Sequence, residues 1–464
     1  MSLPGRPATP GPEPSAVRPL SGWGRFPVET CRIFRPEKPA ALSAILDSGA
    51  EPSYIARGLG RSYGDASLNG GGGVISFERL NRMIAFDPAT DVLECEAGVS
   101  LAEILDCFLP RGYFLPVTPG TKFVTLGGAI AHDVHGKNHH RVGTISNFVL
   151  DFRLRTAQGE VLTCSREQNS EAFWATVGGA GLTGLVLSAR LRLQRVETAH
   201  VLVDFLKVAH LEEAIDAMEK SDHLYEFSVA WIDCLARGRA LGRSVLMRAN
   251  PAKRSDLPKG TGDPLSPRRR SERSVPLDFP AGLLNKFTVG AFNSLFYGLH
   301  RTASGRLADI DGFFYPLDSI RDWNRMYGRR GFVQYQLAFP PETSRAGLAE
   351  ILERVSASGR GSFLGVLKRF GNATAGLLSF PFPGYTLALD LPVSDGLVPF
   401  LAGLDALVLS HGGRLYLAKD AVMAPETFAA MYPRLDEFRE VRARLDPKNT
   451  LSSSLARRVG ILPA

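Results

Sequence analysis

Cysteine is scarce in this 464-residue sequence, and the few cysteines are scattered along it. They are odd in number and form no C-x-x-C pair, which argues against a disulfide framework and against a zinc site. A reducing compartment is therefore the simpler expectation. The five positions are Cys31, Cys95, Cys107, Cys164 and Cys234.

Long apolar runs are also missing from the sequence. No stretch approaches the roughly 20 apolar residues that are needed to cross a bilayer, so any membrane contact should be peripheral. Residues 1–20 contain six prolines and no apolar core, which predicts a disordered tail rather than a signal peptide. We expect a cytoplasmic or peripherally membrane-associated protein, and the sequence leaves the periplasmic face of a membrane open.

Composition and charge are otherwise ordinary. Hydrophobic residues make up 44% of the chain and charged residues 22%, which is typical of soluble globular proteins with a sizeable core. The length allows two or three domains. The net charge of +7 suits nucleic acid, an anionic membrane or a phosphorylated ligand, and by itself it selects none of them.

Hydrophobic periodicity predicts an α+β fold without regular βα alternation. The polar segment 250–275, with its run Arg268-Arg269-Arg270, is expected to be a flexible loop. It would be either a solvated linker or a basic flap near an anionic ligand or a membrane. The expected strands are 54–56, 73–76, 91–97, 149–156, 161–164, 185–193, 226–233, 331–339 and 385–391, and the expected helices are 39–48, 101–109, 171–177, 211–220, 344–356 and 398–411.

The segment ARGLGRSYGD at 56–65 is the first candidate site. Three glycines within seven positions follow a short predicted strand. Glycine lets backbone N–H groups approach a ligand closely, and successive N–H groups form an anion nest suited to a pyrophosphate. Arg57 and Arg61 could add positive charge. The alternative is a tight turn with no ligand.

Three further segments carry candidate chemistry. The small residues of 119–121 and 125–131 would let a flat ligand lie against the backbone, or would serve close strand packing. The segment HDVHGKNHH at 132–140 lacks the H-E-x-x-H spacing and nearby cysteines, so a polar wall with His135 and Lys137 is favoured over a metal site. GAGLTG at 179–184 matches G-x-G-x-x-G, but a helix precedes it and a strand follows, which is the reverse of the dinucleotide fingerprint.

Together these segments stand in the order typical of the vanillyl-alcohol-oxidase type of FAD enzyme, and the chain resembles that superfamily. Within it, the segments AWID, NKFTVG, FVQYQ, RLYLAKD and MYPRLDE resemble the decaprenylphosphoryl-β-D-ribose 2′-oxidase family, over roughly residues 21–458. The cap region matters most here, because enzymes with the same flavin site are separated by it. By itself, the lysine of RLYLAKD would be interpreted as a surface residue of a short strand.

The resemblance implies a PCMH-type, vanillyl-alcohol-oxidase-like FAD-binding domain in two parts, residues 21–196 and 414–464. Between them would lie an α+β substrate-binding cap domain, residues 197–413, built on an antiparallel sheet and carrying the flexible loop 250–275. The proline-rich tail 1–20 would precede the first part. Relatives that hold flavin covalently use a histidine in the first loop, and Arg61-Ser62-Tyr63 offers none, so non-covalent FAD is expected.

The resemblance also implies the residues of the site. Lys419, Tyr63 and His135 would be catalytic, with Lys419 acting either as base or as electrostatic stabiliser of the reduced flavin. The substrate would meet Lys137, Trp231, Gln334, Gln336, Lys368 and Asp390, although Trp231 and Gln336 could equally be core groups. The cofactor would contact Ala56, Arg57, Gly58, Leu59, Gly60, Arg61, Ser62, Tyr63, Gly64, Asp65, Ala66, Gly120, Thr125, Leu126, Gly127, Gly128, His132, Asp133, Val134, His135, Val186 and Tyr416.

The implied reaction is oxidation of the C2 hydroxyl of a polyprenyl-phosphoryl-β-D-ribose to the 2-keto sugar, the first half of an epimerisation to the arabinose donor of cell-wall polysaccharides. A separate NAD(P)H-dependent reductase would complete it, a quinone or O₂ would accept the electrons, and no nucleic acid would take part. One alternative is a soluble alditol or aldonolactone oxidase, and another is a flavin-binding partner without turnover. Thr386 and Ala388 stand where the family typically has asparagine and cysteine, which leaves the preference for ring substituents and lipid open.

Overall fold

The structure is a computed structural model that describes residues 15–266, 273–280 and 282–462. Within these ranges the strands form sheets of eight, five and four strands and two small two-stranded ladders. Helices cover one face of the eight-stranded sheet, which gives the predicted α+β architecture. Among the described residues, no helix is both long and apolar enough to span a bilayer.

The described residues from 15 to 196 form eleven strands and five α-helices. In chain order they are β1 (Ser15–Ser21), β2 (Val28–Phe34), α1 (Ala40–Asp47), β3 (Tyr54–Arg57), β4 (Gly73–Ser76), β5 (Met83–Asp87), β6 (Val92–Glu96), α2 (Leu101–Phe108), β7 (Tyr113–Phe114), α3 (Leu126–Ala131), α4 (His139–Val142), β8 (Val149–Arg155), β9 (Val161–Ser165), α5 (Ser170–Thr176), β10 (Leu185–Arg192) and β11 (Gln194–Arg195).

The described residues after 196 contribute ten strands and eight helices. They are β12 (His200–Val208), α6 (Leu211–Ser221), β13 (Phe227–Ile232), β14 (Ser244–Pro251), β15 (Arg273–Ser274), α7 (Lys286–Leu299), β16 (Ala303–Asp309), α8 (Ile310–Phe314), β17 (Ile320–Arg321), β18 (Phe332–Phe339), α9 (Pro341–Ser358), β19 (Gly365–Phe370), β20 (Gly384–Pro392), α10 (Leu397–Ser410), β21 (Arg414–Leu415), α11 (Pro425–Met431), α12 (Leu435–Leu445) and α13 (Ser454–Arg458).

Two sheets are built from the first part of the chain. The four-stranded sheet has the order β1-β2-β4-β3, and the five-stranded sheet has the order β5-β6-β10-β8-β9. The prediction of a disordered tail up to residue 20 is wrong for 15–20, because β1 pairs antiparallel with β2 from Ser15 to Ser21. The paired strand satisfies its backbone groups while most of its side chains stay exposed, so composition does not reveal it. Residues 1–14 lie outside the described ranges.

The eight-stranded sheet has the order β16-β12-β14-β13-β19-β20-β18-β21, and its neighbouring strands pair antiparallel. Successive residues of a strand point to opposite faces. In β18 the apolar set Val333, Tyr335 and Leu337 joins the core with α9 and α10, and Gln334 and Gln336 point the other way. One face of the sheet is therefore core, and the other face is free to form a site.

The C-terminal segment returns to the first sheet. The N–H of Tyr54 donates to the carbonyl of Thr450 at 2.8 Å, and the N–H of Ser452 donates to the carbonyl of Tyr54 at 2.9 Å. Arg458 pairs with the Asp65 carboxylate beside the glycine loop. These contacts support the predicted two-part domain, whose boundaries stay a prediction.

The loop predicted at 250–275 begins later than expected, because its first residues belong to a strand. Residues 250 and 251 belong to β14, and the N–H of the buried Ala252 donates to the carbonyl of His200 at 3.0 Å. Further on, the carbonyl of Pro264 accepts the N–H of Ala199. The run Arg268-Arg269-Arg270 lies outside the described residues. The segment is thus tied to β12 at two points.

Candidate active site

A cavity of about 860 Å³ lies between the glycine loop, α3, the free face of the eight-stranded sheet and α7. This volume is typical of sites for cofactors and drug-sized ligands. Most of the predicted site residues line it. They are Ala56, Arg57, Gly58, Leu59, Gly60, Arg61, Ser62, Tyr63, Ala66, Gly120, Thr125, Gly127, Gly128, His132, Val134, His135, Lys137, Val186, Trp231, Gln334, Gln336, Lys368, Tyr416 and Lys419.

Five predicted site residues stand one layer behind the cavity wall, namely Gly64, Asp65, Leu126, Asp133 and Asp390. Gly64 packs against the backbone of Asp420, where a methyl group would overlap the carbonyl oxygen. Leu126 is fully buried in the apolar core below α3. Direct ligand contact is therefore not expected from these two, because each fills a structural position.

Two of the three carboxylates in this second layer brace the wall. Asp65 accepts two hydrogen bonds of 2.8 Å from the Arg458 guanidinium. Asp133 accepts hydrogen bonds from the hydroxyls of Thr374 and Ser379. Both carboxylates are buried. Each of them stabilises a segment that lines the cavity, and neither carboxylate lines the cavity itself.

The glycine loop and the start of α3 form a cradle into which side chains do not fit. A methyl group at Gly58 would overlap the Thr125 hydroxyl, and one at Gly127 would lie 2.9 Å from the Cβ of Ala97. Gly60 adopts φ +63°, a conformation that glycine tolerates best. The backbone amides therefore stand at the wall with nothing to shield them, as an anion nest requires.

Buried polar atoms without partners mark the same wall. Within the described ranges, Arg61 Nε, His132 Nδ1 and His135 Nδ1 have no hydrogen-bond partner. Buried polar groups are normally paired, so three orphaned atoms around one cavity indicate a polar ligand. No three His, Cys, Asp or Glu side chains of the described residues are grouped as metal ligands. The residues present fit a dinucleotide with a diphosphate.

The two arginines of the loop have different surroundings. The guanidinium of Arg57 donates to the carbonyl of Ser21 at 2.7 Å and to the Ser67 hydroxyl at 3.1 Å, so it braces the loop. Arg61 lies 3.9 Å above the ring of Trp23, a cation–π contact. Burial lowers the pKa of both arginines. Arg61 is the better placed of the two to meet an anionic ligand.

The strand register brings residues from four strands into one row on the sheet wall. Trp231 of β13 stands opposite Val366 of β19, which stands opposite Ala388 of β20, which stands opposite Gln336 of β18. All four line the cavity. Because a shift of one residue would turn each strand over, this row depends on the register of the whole sheet.

The sheet wall is polar on one side and apolar on the other. Its polar side carries Gln334, Gln336 and Lys368 on β18 and β19. Its apolar side is formed by β13, β14, β12 and β16, together with the inner face of α7. The apolar residues on the wall are Val203, Phe205, Val229, Met247, Ala308, Val289, Phe292 and Phe296.

Trp231 and Gln336 are buried, and both also line the cavity. The indole N–H of Trp231 donates to the carbonyl of Phe363 at 3.0 Å, which fixes the ring. The Gln336 amide donates to His135 Nε2 at 3.1 Å and to the Thr386 hydroxyl at 3.2 Å. Thr386, a departure from the family pattern, thus keeps a polar partner for the glutamine.

Lys419 follows β21 in a turn that returns the chain to the glycine loop. Its ammonium lies 3.8 Å from the centre of the Tyr63 ring. Burial lowers the pKa of Lys419 to about 7, and the positive charge of Lys368 acts in the same direction, while the Asp390 carboxylate opposes them. Burial likewise raises the pKa of the Tyr63 phenol well above 10. Lys419 therefore titrates near neutral pH beside a neutral phenol.

Asp390 influences the cavity through other residues. It accepts hydrogen bonds from the Gln334 amide at 2.6 Å and from the Tyr327 hydroxyl at 3.1 Å. Burial raises the pKa of this carboxyl to about 7, against the opposing effects of Gln334 and Lys419. Asp390 is thus the carboxylate whose charge is coupled to that of Lys419.

Two further lysines bring positive charge to the same cavity. Burial lowers the pKa of Lys137 to about 7 and that of Lys368 to about 8. Lys137 donates to the carbonyl of Phe313 and lies 4.3 Å above the ring of that residue. The pKa of His135 is well below 6.5 because of burial first and Lys368 second. An anionic ligand would compensate these buried cations.

Some cavity residues were missed at the sequence level. The reversed order around GAGLTG is confirmed, with α5 before and β10 after, and Ala180, Gly181 and Gly184 line the cavity. The wall also includes Trp23 and Asp318, which no motif pointed to. The inner face of α7 was missed too, although residues 287–299 form an uncharged stretch rich in aromatic residues, and this was the available signal.

Comparisons with known proteins agree with this geometry. Two family models match, an FAD binding domain over residues 32–165 and a D-arabinono-1,4-lactone oxidase over residues 393–459. Decaprenylphosphoryl-beta-D-ribose oxidase of Mycolicibacterium smegmatis is 40% identical over 97% of this chain and 99% of its own length. An uncharacterized protein of Streptomyces coelicolor, in the mprA 5′ region, is 37% identical over 78% of this chain and 100% of its own. L-gulono-1,4-lactone dehydrogenase of Mycobacterium tuberculosis is 23% identical over 94% of this chain and 98% of its own.

These matches confirm the predicted cofactor and fold. The FAD binding domain spans the glycine loop, the α3 cradle and the histidine segment. The relative from M. smegmatis matches 97% of this chain, so the similarity extends well beyond the FAD binding domain. Non-covalent attachment of the flavin stays a prediction. The chain belongs to the decaprenylphosphoryl-β-D-ribose oxidase family and is an FAD-dependent oxidoreductase.

Proposed function

We propose that this protein oxidises the C2 hydroxyl of a polyprenyl-phosphoryl-β-D-ribose to the 2-keto sugar. The observation that carries the proposal is the division of the sheet wall into two sides. Strands β18 and β19 form the polar side, and β13, β14, β12 and β16 form the apolar side. A lipid-linked sugar phosphate has the same order of groups, namely sugar, phosphate and hydrocarbon. The M. smegmatis relative, which is 40% identical, is named as an oxidase of such a substrate.

The polar side of the wall suits a ribose and its phosphate. Gln336 and His135 are hydrogen-bonded to each other at 3.1 Å, and the unpartnered Nδ1 of His135 supports a polar contact with the ligand. Lys368 on this wall and Lys137 of the histidine segment are buried lysines that line the same cavity, and we assign them to the phosphodiester. A phosphate there stabilises their charged forms.

The chemistry that FAD would supply here, when bound, is that of a hydride acceptor for the sugar carbon. The amides of the Gly58–Ser62 loop and of the start of α3 would hold the diphosphate, with His132 and Tyr416 closing the cavity beside them. His132 is held by its own carbonyl, which accepts the Tyr416 hydroxyl at 2.8 Å, and by Ser62, whose hydroxyl is 3.2 Å from Nε2.

Lys419 takes the hydroxyl proton in this proposal. A general base works best when its pKa lies near the operating pH, and the pKa of Lys419 is about 7. His135 is a weaker base, because its pKa is far below that of an ordinary histidine. The Tyr63 phenol, whose pKa is raised well above 10, stays protonated and orients the substrate through its hydroxyl.

The 2-keto product requires a separate reductase to complete the epimerisation. Among the described residues, the cavity has one cradle for the diphosphate of a dinucleotide, formed by the glycine loop and the start of α3, and we assign it to FAD. We therefore assign the reduction to another chain that uses NAD(P)H. The electrons would leave the reduced flavin to a quinone or to O₂. Both partners are inferred from the chemistry of the proposed reaction.

A soluble alditol or aldonolactone oxidase is the second candidate function. The match of residues 393–459 to D-arabinono-1,4-lactone oxidase favours it. A free sugar would leave the apolar side of the wall without a partner, which is why the lipid-linked substrate is preferred. Anaerobic titration with a short-chain prenyl-phosphoryl ribose should bleach the flavin near 1:1, whereas ribitol and L-gulono-1,4-lactone should not. Bleaching by the free sugars would reverse this assignment, and no bleaching with any sugar would indicate a partner protein without turnover.

A further inference from the structure

Helix α7 has two apolar faces, and one of them faces solvent. Its inner face lines the cavity with Val289, Phe292 and Phe296. On its outer face, Phe287, Leu295 and Leu299 are 76%, 62% and 73% exposed. Exposed apolar patches of this kind usually mark an interaction surface. Helix α7 is 14 residues long, and its exposed apolar residues lie on the solvent side of a helix that forms part of the cavity wall.

The helix is firmly attached to the protein beneath it. The amide of the buried Asn293 donates to the Asp233 carboxylate at 2.7 Å, and the Tyr297 hydroxyl donates to the carbonyl of Val208 at 3.1 Å. Asn285 caps the first turn by accepting the N–H groups of Phe287 and Thr288. The outer apolar residues are therefore displayed on a rigid support.

The charged residues of α7 and of the segments that flank it in the chain have one sign. Residues 279–308 contain no aspartate or glutamate, and they carry Lys286, Arg301 and Arg306. One more cation lies against the helix from the sheet, since Lys207 of β12 is 4.2 Å from the centre of the Tyr297 ring. Arg243 lies 4.9 Å from the same ring, and its charge is already paired with the buried Asp233. Such a combination of apolar residues and cations is typical of helices that lie in the interface of an anionic bilayer.

We propose that the outer face of α7 docks the protein onto an anionic lipid bilayer. Phe287, Leu295 and Leu299 would enter the headgroup region, and the surrounding cations would meet the lipid phosphates. Docking there would bring the apolar side of the cavity close to the bilayer, because the inner face of the same helix lines the cavity. A prenyl chain could then pass between bilayer and cavity without crossing water. This inference rests on the proposed lipid-linked substrate, and the two are tested separately.

The test is flotation of the FAD-loaded protein with vesicles of phosphatidylcholine mixed with phosphatidylglycerol, and with phosphatidylcholine alone. The outer-face variant combines Phe287→Gln, Leu295→Gln and Leu299→Gln. A matched control changes three other apolar residues that are about half exposed or more, Ile84→Gln, Leu224→Gln and Val398→Gln. None of the six side chains lines the cavity.

We expect the wild type and the control to float with the anionic vesicles and less with phosphatidylcholine alone. The outer-face variant should bind anionic vesicles on the order of 1,000-fold more weakly, because each of the three buried side chains is worth roughly tenfold in partitioning. Flavin reduction by a short-chain prenyl-phosphoryl ribose in solution should be unchanged in this variant, which separates docking from the reaction.

Three outcomes would overturn the proposal. The first is equal vesicle binding by the outer-face variant and the wild type. The second is a wild type that reduces its flavin with the short-chain substrate and yet fails to float with anionic vesicles. The third is a concentration-dependent dimer, measured by light scattering, that the three substitutions abolish, because the face would then belong to a second copy of the chain. Absence of flavin reduction in all variants would instead count against the proposed function.

Discussion

The charge state of Lys419 gives the sharpest test of the proposed chemistry. Burial and the neighbouring Lys368 bring its pKa from 10.5 to about 7. At pH 7 the neutral fraction of the amine therefore rises from roughly 1 in 3,000 to about half. If the neutral amine accepts the hydroxyl proton, the rate of flavin reduction should rise with pH and level off above about 7.

Replacing the lysine removes the base with little change in volume. In Lys419→Met, we expect the rate of anaerobic flavin reduction to fall by about 10²- to 10⁴-fold, the usual contribution of a general base. The bound flavin should stay, since the glycine cradle is untouched. Stopped-flow absorbance of the flavin under anaerobic conditions, recorded from pH 5.5 to 9, measures both the rate and its pH dependence.

Two charged residues near Lys419 supply matched control variants, which should shift the pH profile in opposite directions. Lys368→Met removes a positive charge that lowers the pKa of Lys419, so the midpoint of the profile should move to higher pH. Asp390→Asn removes a negative charge that raises the pKa of Lys419, so the midpoint of the profile should move to lower pH. A wild-type rate that falls as pH rises through 7 would refute the base assignment and favour an electrostatic role. Undiminished reduction in Lys419→Met would remove the lysine from the mechanism altogether.

Three further predictions concern the cradle, the link to the C-terminus and the apolar wall. Gly58→Ala should weaken FAD binding by roughly 5- to 150-fold, since overpacking costs about 1–3 kcal/mol. Flavin fluorescence should detect no loss in the control Gly262→Ala, where space is open. Arg458→Met leaves the buried carboxylates of Asp65 and Asp420 without their partner. It should lower the free energy of unfolding, measured in urea, by about 3–5 kcal/mol. The control Arg330→Met breaks the exposed pair with Asp395 and should lower it by less than about 1 kcal/mol. Met247→Trp should raise KM for a long-chain substrate more than for a short-chain one, and equal KM changes would argue against the apolar wall as the lipid path.

Much of the fold was predictable because it depends on local patterns. The strand expected at 73–76 is β4 itself, and the strands expected at 149–156 and 161–164 are β8 and β9, which pair antiparallel. Alternation and turn residues act over a few positions, so the sequence displays them directly. The short β1 was missed because its stability comes from pairing with β2, while its own side chains are mostly exposed.

Helix α7 and Arg57 show where local patterns were insufficient. The residues of α7 are apolar on both faces, because one face lines the cavity and the other is exposed, so no single apolar stripe marks the helix. Arg57 was expected to be near a phosphate, but its guanidinium binds the carbonyl of Ser21. Neither the surroundings of α7 nor the contact between Arg57 and Ser21 can be deduced from spacing along the chain.

The sequence by itself determined the order of the glycine loop, the cradle and the histidine segment, and with it the FAD site, because backbone freedom at glycine is a local property. The tertiary structure decided which lysines lose their ordinary pKa and which side of the sheet is apolar. Desolvation and charge coupling depend on how closely segments hundreds of residues apart pack together, as Lys419, Tyr63 and Asp390 do. Those distances exist only in the folded chain.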